Sequence, residues 1–70
     1  MERDNAVLTI YECRRWHPGG WSGCLIIAAS DEAEARSVFA NFEQRPPVSV
    51  IVWEDVFALG EPRLLYELLP

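Results

Sequence analysis

The stretch "AVLTIYECRRWHPGGWSGCLIIAAS", residues 6–30, determines the fold, because it predicts the hairpin on which the remaining chain packs. Residues 6–16 mix β-branched and aromatic residues with polar ones at a period near two, which is typical of a strand. Residues 21–30 form a second run of the same kind. Between them, His17-Pro18-Gly19-Gly20 has the composition of a turn, since proline presets φ and glycine permits positive φ. The two strands are therefore predicted to pair antiparallel.

A four-residue loop would set the register of this hairpin. It predicts that Trp16 faces Trp21 and that Cys13 lies opposite Cys24. A slip by one residue would break these pairs and move every side chain to the other face. The same register also predicts the pairs Tyr11–Ile26 and Ile10–Ile27.

A helix is predicted after the hairpin, from "SDEAEARSVFANFE". Asp31 followed by Glu34 resembles a capping box, with Ser30 as an alternative cap. Proline at positions 46 and 47 predicts that the helix ends near Gln44. Its apolar residues fall on one stripe at helical spacing, namely Ala35, Val38, Phe39 and Phe42.

Residues 48–57, "VSVIVWEDVF", predict a third strand, and residues 59–62 predict a turn after it. Residues 63–70, "RLLYELLP", fit a short helical face, but a terminal helix of this length is marginal, and a hairpin partner for the third strand is favoured. The chain is thus predicted to be a single compact α+β domain, residues 1–70, with a small antiparallel sheet, one helix on one face and the order ββαββ. The alternative is ββαβα.

The composition limits the classes of function. The chain has 70 residues, half of them hydrophobic, and a net charge of −5 from 11 acidic and 6 basic residues. This balance argues against direct nucleic-acid binding and against docking on an anionic membrane, and it favours a basic protein partner. The longest apolar run, residues 25–29, is far shorter than a membrane helix requires. A cytoplasmic location is expected, where the two cysteines are expected to be thiols, with a disulfide between Cys13 and Cys24 as the alternative.

Residues that suggest chemistry do not combine into a site. The soft metal ligands are Cys13, Cys24 and His17, and strand geometry places the histidine roughly 10–13 Å from the cysteines, too far to share zinc. The same distance leaves a cysteine nucleophile without a base. We therefore expect no catalytic, cofactor or metal site, and no enzyme. The acidic neighbours Asp31/Glu32 and Glu54/Asp55 are expected to diverge into solvent.

The predicted sheet is apolar on both faces, whereas one helix covers only one of them. The second face therefore needs a cover: the C-terminal segment, a second copy of the chain, or another protein. Aromatic residues of the type that anchors interfaces are expected to contribute, namely Tyr11, Trp16, Trp21 and Trp53. Acidic residues are candidates for mimicry of nucleic-acid phosphates toward a basic partner, namely Asp31, Glu32, Glu34, Glu54 and Asp55.

The order of a tryptophan- and glycine-rich hairpin, then "AASDEAEARSVF" at residues 28–39, then a valine-rich strand resembles small phage-encoded accessory proteins of the anti-CRISPR type. That resemblance implies a non-enzymatic inhibitor that binds a CRISPR effector, or another nucleic-acid-binding protein, in a bacterial cytoplasm. It carries over no individual residue. The competing interpretation is a homodimeric regulatory protein of the antitoxin-like kind, or a structural protein, whose exposed face is buried against a second copy.

Overall fold

The computed structural model describes residues 6–16 and 23–68. They form a four-stranded antiparallel sheet with the strand order β3-β1-β2-β4, and a helix that packs on it. The predicted α+β fold with the order ββαββ is thereby confirmed. The elements are β1 (Val7–Arg14), β2 (Cys24–Ala29), α1 (Glu32–Glu43), β3 (Ser49–Leu59) and β4 (Arg63–Leu68).

Helix α1 begins and ends where its capping residues predict. The Asp31 side chain accepts a hydrogen bond from the backbone N–H of Glu34 at 2.8 Å, and the Glu34 carboxylate accepts one from the Ser30 N–H at 2.8 Å. The first bond satisfies a backbone donor that the helix start leaves free, and the second ties the residue before the cap to the first turn. Gln44 ends the helix in a left-handed conformation with φ 63° and donates its N–H to the Ala40 carbonyl.

The register of the central hairpin differs by one residue from the predicted one. Cys13 pairs with Leu25, and Arg14 pairs with Cys24. The Arg15 N–H donates to the Gly23 carbonyl at 3.2 Å, so the connection is longer than the four residues that the Pro-Gly-Gly turn predicted. The predicted pairing of Cys13 with Cys24 is therefore wrong, and the two thiols lie on opposite faces of the sheet. The predicted contact of Trp16 with Trp21 falls partly outside the described residues.

The helix side of the sheet holds one hydrophobic core cluster. Phe39 and Ala35 of α1 are fully buried there, against residues of β1 and β2. Burial of a phenylalanine is among the largest single apolar contributions in a small domain. The sheet residues of this cluster are Tyr11, Cys13, Leu25, Ile27 and Ala29.

Strand β4 pairs with β2, not with β3, so the predicted hairpin between the last two strands is wrong. Residues 60–62 instead cross the end of the central hairpin and join opposite edges of the sheet. Gly60 is suited to this crossing, because its φ of 112° lies in a region that other residues rarely adopt. Its N–H donates to the Ala6 carbonyl. The Arg63 guanidinium donates to the carbonyls of Leu59 and Glu61, at 3.0 and 2.8 Å, and fixes the crossing.

The second face of the sheet is also buried. The two edge strands are about 14 Å apart, three strand spacings, and the short link at residues 60–62 joins them. Side chains of β3 and β4 pack against the second cluster, namely Trp53, Ala58 and Leu65. Of the covers that the sequence allowed for this face, the C-terminal segment contributes Leu65. The buried residues of the central strands there are Leu8, Ile10, Cys24, Ile26 and Ala28.

Candidate protein-binding surface

The exposed apolar surface of this protein is concentrated on β3. Helix α1 packs mainly against β2 and β1, and less against β4, so it does not cover the outer strand β3. Phe57 is 62% exposed and Val52 is 45% exposed, both on the side of the sheet that carries the helix. Further exposed apolar side chains adjoin them, namely Val7, Val48, Ile51, Val56 and Leu59. An exposed apolar strip of this kind on one edge strand is a candidate interaction surface.

A bulge in β3 brings these side chains together. Thr9 pairs with Phe57 and the next residue, Ile10, pairs with Trp53, so residues 54–56 have no opposite partner on β1. Asp55 within the bulge has a φ of 64°, a left-handed conformation that aspartate adopts more readily than most residues. Three extra residues reverse the alternation of the strand. Phe57 therefore shares a side with Val52, whereas uninterrupted alternation would place the two side chains on opposite sides.

The backbone of β3 offers free hydrogen-bonding groups at its outer edge. The Arg15 N–H donates to the carbonyl of Gly23, the residue before β2, and backbone groups alternate in direction along a strand. The odd-numbered residues of β1 therefore direct their N–H and C=O groups toward β2, and the even-numbered residues direct theirs toward β3. Glu12 is opposite Ile51, so Ile51 bonds inward. Val50 and Val52 then direct their N–H and C=O groups outward, away from β1.

From residue 48 to Trp53, before the bulge and its acidic residues, this edge carries little of the protection that edge strands usually have. Lysines, inward charges or a short length normally prevent a strand edge from pairing with another chain. The sequence has no lysine, and no charged residue lies between positions 48 and 53. At the other edge, β4 has only six residues and carries Arg63 and Glu67. We call the outer edge of β3 and its exposed apolar side chains the β3 surface, defined by residues 48, 50–52, 56, 57 and 59.

The predicted aromatic anchors are placed in different environments. Trp16 is exposed, and the guanidinium of Arg45 lies 5.5 Å from its ring centroid, a cation–π contact. Trp53 is half-buried, and its indole N–H donates to the Glu12 carboxylate at 3.0 Å. Tyr11 is only 6% exposed in the core under α1, which makes it a packing residue and corrects its expected place on the surface. Trp21 lies outside the described residues.

The predicted acidic residues fall into two separate groups. Asp31 and Glu34 cap α1, and Glu32 pairs with Arg36 at 2.7 Å, so these three carboxylates stabilise the first turns of the helix. Glu54 and Asp55 are exposed in the bulge of β3. Within the described part of the chain, no arginine forms a salt bridge with either of them. These two carboxylates therefore give the β3 surface a negative end.

The sequence did not predict an ion-pair cluster around Arg15. Its guanidinium contacts the carboxylates of Glu43, at 3.2 Å, and of Glu67. It thereby joins the hairpin to the end of α1 and to β4, and the paired carboxylates raise its pKa further. The three positions are distant in the sequence and carry no shared motif, so no local pattern indicated the cluster. Its role is to hold the elements together.

The thiols are unsuited to nucleophilic chemistry. Burial raises the pKa of Cys13 from 9.0 to about 11, and burial also raises the pKa of Cys24. Both are free, protonated thiols at neutral pH. Across residues 6–16 and 23–68, no three histidine, cysteine or acidic side chains are grouped as metal ligands would be. His17 lies outside these ranges.

A cleft of about 350 Å³ lies where the crossing link meets the start of α1. Its lining includes Glu34 and Glu61. The Glu34 carboxylate is already engaged by the Ser30 backbone, and beside it the cleft presents mainly apolar and backbone atoms. Ser30 also donates its hydroxyl to that carboxylate, so both side chains are engaged at the start of α1.

Comparison of the chain with protein-family models, with curated proteins and with solved structures gives no match. In the described residues, no helix has both the length and the apolar character needed to cross a bilayer.

Proposed function

We propose that this protein is a non-enzymatic protein-binding module that inhibits a partner by occupying it, and that it docks through the β3 surface. The observation that supports the proposal is the position of β3. It is the longest strand, it lies at an edge of the sheet, and its apolar side chains are exposed where the helix does not reach. A domain that leaves a long, largely apolar strand at the edge of its sheet has a surface suited to another chain.

The mode of docking that fits this edge is strand addition. An extended segment of the partner would bond to the outward N–H and C=O groups of Val50 and Val52, and these bonds would supply affinity. Phe57 and Leu59 would receive apolar side chains of the partner beside the strand. In such complexes the backbone supplies affinity and the side-chain contacts supply specificity.

The charge of the chain suggests a basic partner. The net charge is −5, and Glu54 and Asp55 lie directly beside the apolar strip. Opposite charges would speed association and would disfavour other acidic proteins as partners. A nucleic-acid-binding protein of a bacterial host, such as a CRISPR effector, has the required character and agrees with the resemblance to phage-encoded inhibitors. Phosphate mimicry would then fall to Glu54 and Asp55, since the acidic residues at the start of α1 are engaged in capping and pairing.

A matched pair of variants tests this proposal. Phe57→Lys and Phe42→Lys change two phenylalanines of similar exposure, 62% and 59%, one on β3 and one on the helix. Purified CRISPR effectors and bacterial lysates would be passed over the wild-type chain and both variants, with bound proteins identified by mass spectrometry. We expect a specific partner that is lost with Phe57→Lys and retained with Phe42→Lys. Equal retention by both variants would contradict docking through the β3 surface.

Inhibition is tested separately from binding. The nucleic-acid affinity of the captured partner would be measured while the protein is titrated in. We expect competition that weakens when Glu54 and Asp55 are both changed to their amides, because the negative end of the surface is removed. A partner that binds nucleic acid equally well at saturation would exclude occupation of its nucleic-acid site.

A regulatory homodimer is the second candidate function. The observation that favours it is the uncharged edge of β3 between positions 48 and 53, since a strand without charges can pair with its own copy.

A further inference from the structure

We infer that the outer edge of β3 pairs antiparallel with β3 of a second copy of this chain, with Ile51 on the two-fold axis. The inference uses the same β3 edge as the proposed function, so a second copy and a foreign partner would compete for Val50 and Val52, and partner binding would require the dimer to dissociate; the pairing itself needs no foreign partner. In the pairing, two sheets of four strands join into one sheet of eight. The same patch serves both copies, as a two-fold interface requires.

The hydrogen bonds select this register. Val50 and Val52 direct their N–H and C=O groups outward, because the bond between Arg15 and Gly23 makes Glu12, and with it Ile51, bond across the β1–β3 pair. The Val48 N–H is already donated to the Arg14 carbonyl at 2.8 Å, so it is not available to another chain. Val50 of each copy would then pair with Val52 of the other, so the outward N–H and C=O groups of both residues are bonded in both copies. It places Ile51 opposite its own counterpart.

The side chains at this seam are apolar and accessible. Ile51 is 42% exposed, and Val52 is 45% exposed on the other side of the strand. Direct opposition would bring Cβ atoms to about 5 Å across the seam, a distance at which β-branched pairs stabilise a sheet. Ser49 and Trp53 would face each other at both ends of the paired segment. The contact therefore covers exposed valine and isoleucine without burying a charge.

The charges are compatible with this arrangement despite the net charge of −5 on each copy. Glu54 lies three residues from Ile51, so the two Glu54 carboxylates would be six residues apart, about 20 Å. That distance exceeds the Debye length of about 8 Å at physiological salt, and their repulsion is screened.

The assembly would stop at two copies. After β3 pairs with its counterpart, the outer strands of the joined sheet are the two β4 strands. Each has six residues, a bulge between the partners of Ile26 and Ile27, and the charged residues Arg63 and Glu67. Short, irregular and charged edges resist further pairing.

Opposite charges at the two-fold axis test the inference directly. Light scattering after size exclusion is expected to give twice the 8.0 kDa mass of the chain for the wild-type protein. Ile51→Lys and Ile51→Glu each place like charges face to face, so each variant alone is expected to weaken the dimer by about tenfold or more. Mixed in equal amounts, the two variants place lysine opposite glutamate, and the dimer is expected to return.

Controls separate this outcome from a general effect of charge. Tyr66→Lys adds the same charge to exposed surface on the opposite edge strand, and it is expected to leave the dimer mass unchanged. Far-UV circular dichroism would show that each variant is folded. If a charge at position 51 prevents folding, Val52→Pro replaces it, since it removes one outward N–H while the bonds to β1 remain.

Three results would overturn the inference. One is a wild-type chain of monomer mass at all concentrations tested. Another is a dimer that Tyr66→Lys abolishes and Ile51→Lys preserves. The third is a mixture of the Ile51 variants that stays monomeric. None of these measurements contains a foreign partner, so their failure is distinguishable from a failure of the proposed inhibitor function.

Discussion

Proline should destabilise the domain much more at position 51 of β3 than at the adjacent position 52. Ile51 directs its N–H toward Glu12 of β1, whereas Val52 directs its N–H to the outer edge. Ile51→Pro removes a bond inside the sheet, and Val52→Pro removes a donor that faces solvent in the monomer. Proline is tolerated on an edge strand only where its missing N–H faces outward.

The expected difference follows from the groups left without partners. With proline at position 51, the Glu12 carbonyl loses its donor, which costs about 1–3 kcal/mol, and the ring clashes with β1. We expect a total loss near 3 kcal/mol for Ile51→Pro. For Val52→Pro we expect a loss of about 1 kcal/mol or less, because the change removes only part of the packing of one half-exposed side chain. A domain of this size has a free energy of unfolding of about 4–10 kcal/mol, so the first loss is a large share.

Urea denaturation, followed by far-UV circular dichroism, measures both losses. The protein concentration must be low enough for light scattering to give the monomer mass, because dimerisation would add its own stability. Equal losses for the two variants, or a larger loss for Val52→Pro, would refute the assigned directions of the backbone groups. The register of the inferred dimer would then fall with them.

Other perturbations test the core, the cap and the buried thiol. Phe39→Ala is expected to cost about 3–5 kcal/mol of unfolding free energy, and the exposed Phe42→Ala about 1 kcal/mol or less, both measured in urea. Asp31→Ala is expected to cost about 1 kcal/mol because it removes the acceptor for the Glu34 N–H, whereas Asp31→Asn should retain most of it in the same assay. Burial raises the pKa of Cys13 from 9.0 to about 11, so the fold favours the neutral thiol. Urea titrations across pH should give full stability from this group below pH 9.0 and a progressive loss toward pH 11, which Cys13→Ala should lack.

The sequence predicted the elements well because their signals are local. The acidic cap at Asp31 and the stripe that contains Phe39 lie within one helix, and the valine-rich run of β3 is unmistakable as a strand. The strand at residues 63–68 was also preferred over a helix. In each case a period, a cap or a breaker within about a dozen residues determines the conformation.

Pairing was harder to predict, because it depends on contacts between distant segments. The register of the hairpin changed by one residue because the connection begins at Arg15 and Gly23, outside the Pro-Gly-Gly turn. The bulge at residues 54–56 then moved Phe57 to the other side of the sheet. No residue in "WEDVF" forces a bulge, and only pairing with β1 reveals it. The exposed strip on β3 was therefore missed, although the lack of charge at positions 48–53 was a readable signal.

The crossing link at residues 60–62 has a consequence for how the chain folds. The two outermost strands are neighbours in sequence, yet each pairs with a strand from the first half of the chain. Neither outer strand has a strand to pair with until the central hairpin has formed. The hairpin therefore forms first, and the two outer strands pair with it afterwards. Such dependence on sequence-distant pairing slows folding relative to a chain of local hairpins. A newly synthesised chain would thus be most prone to aggregation while the valine-rich segment is still unpaired.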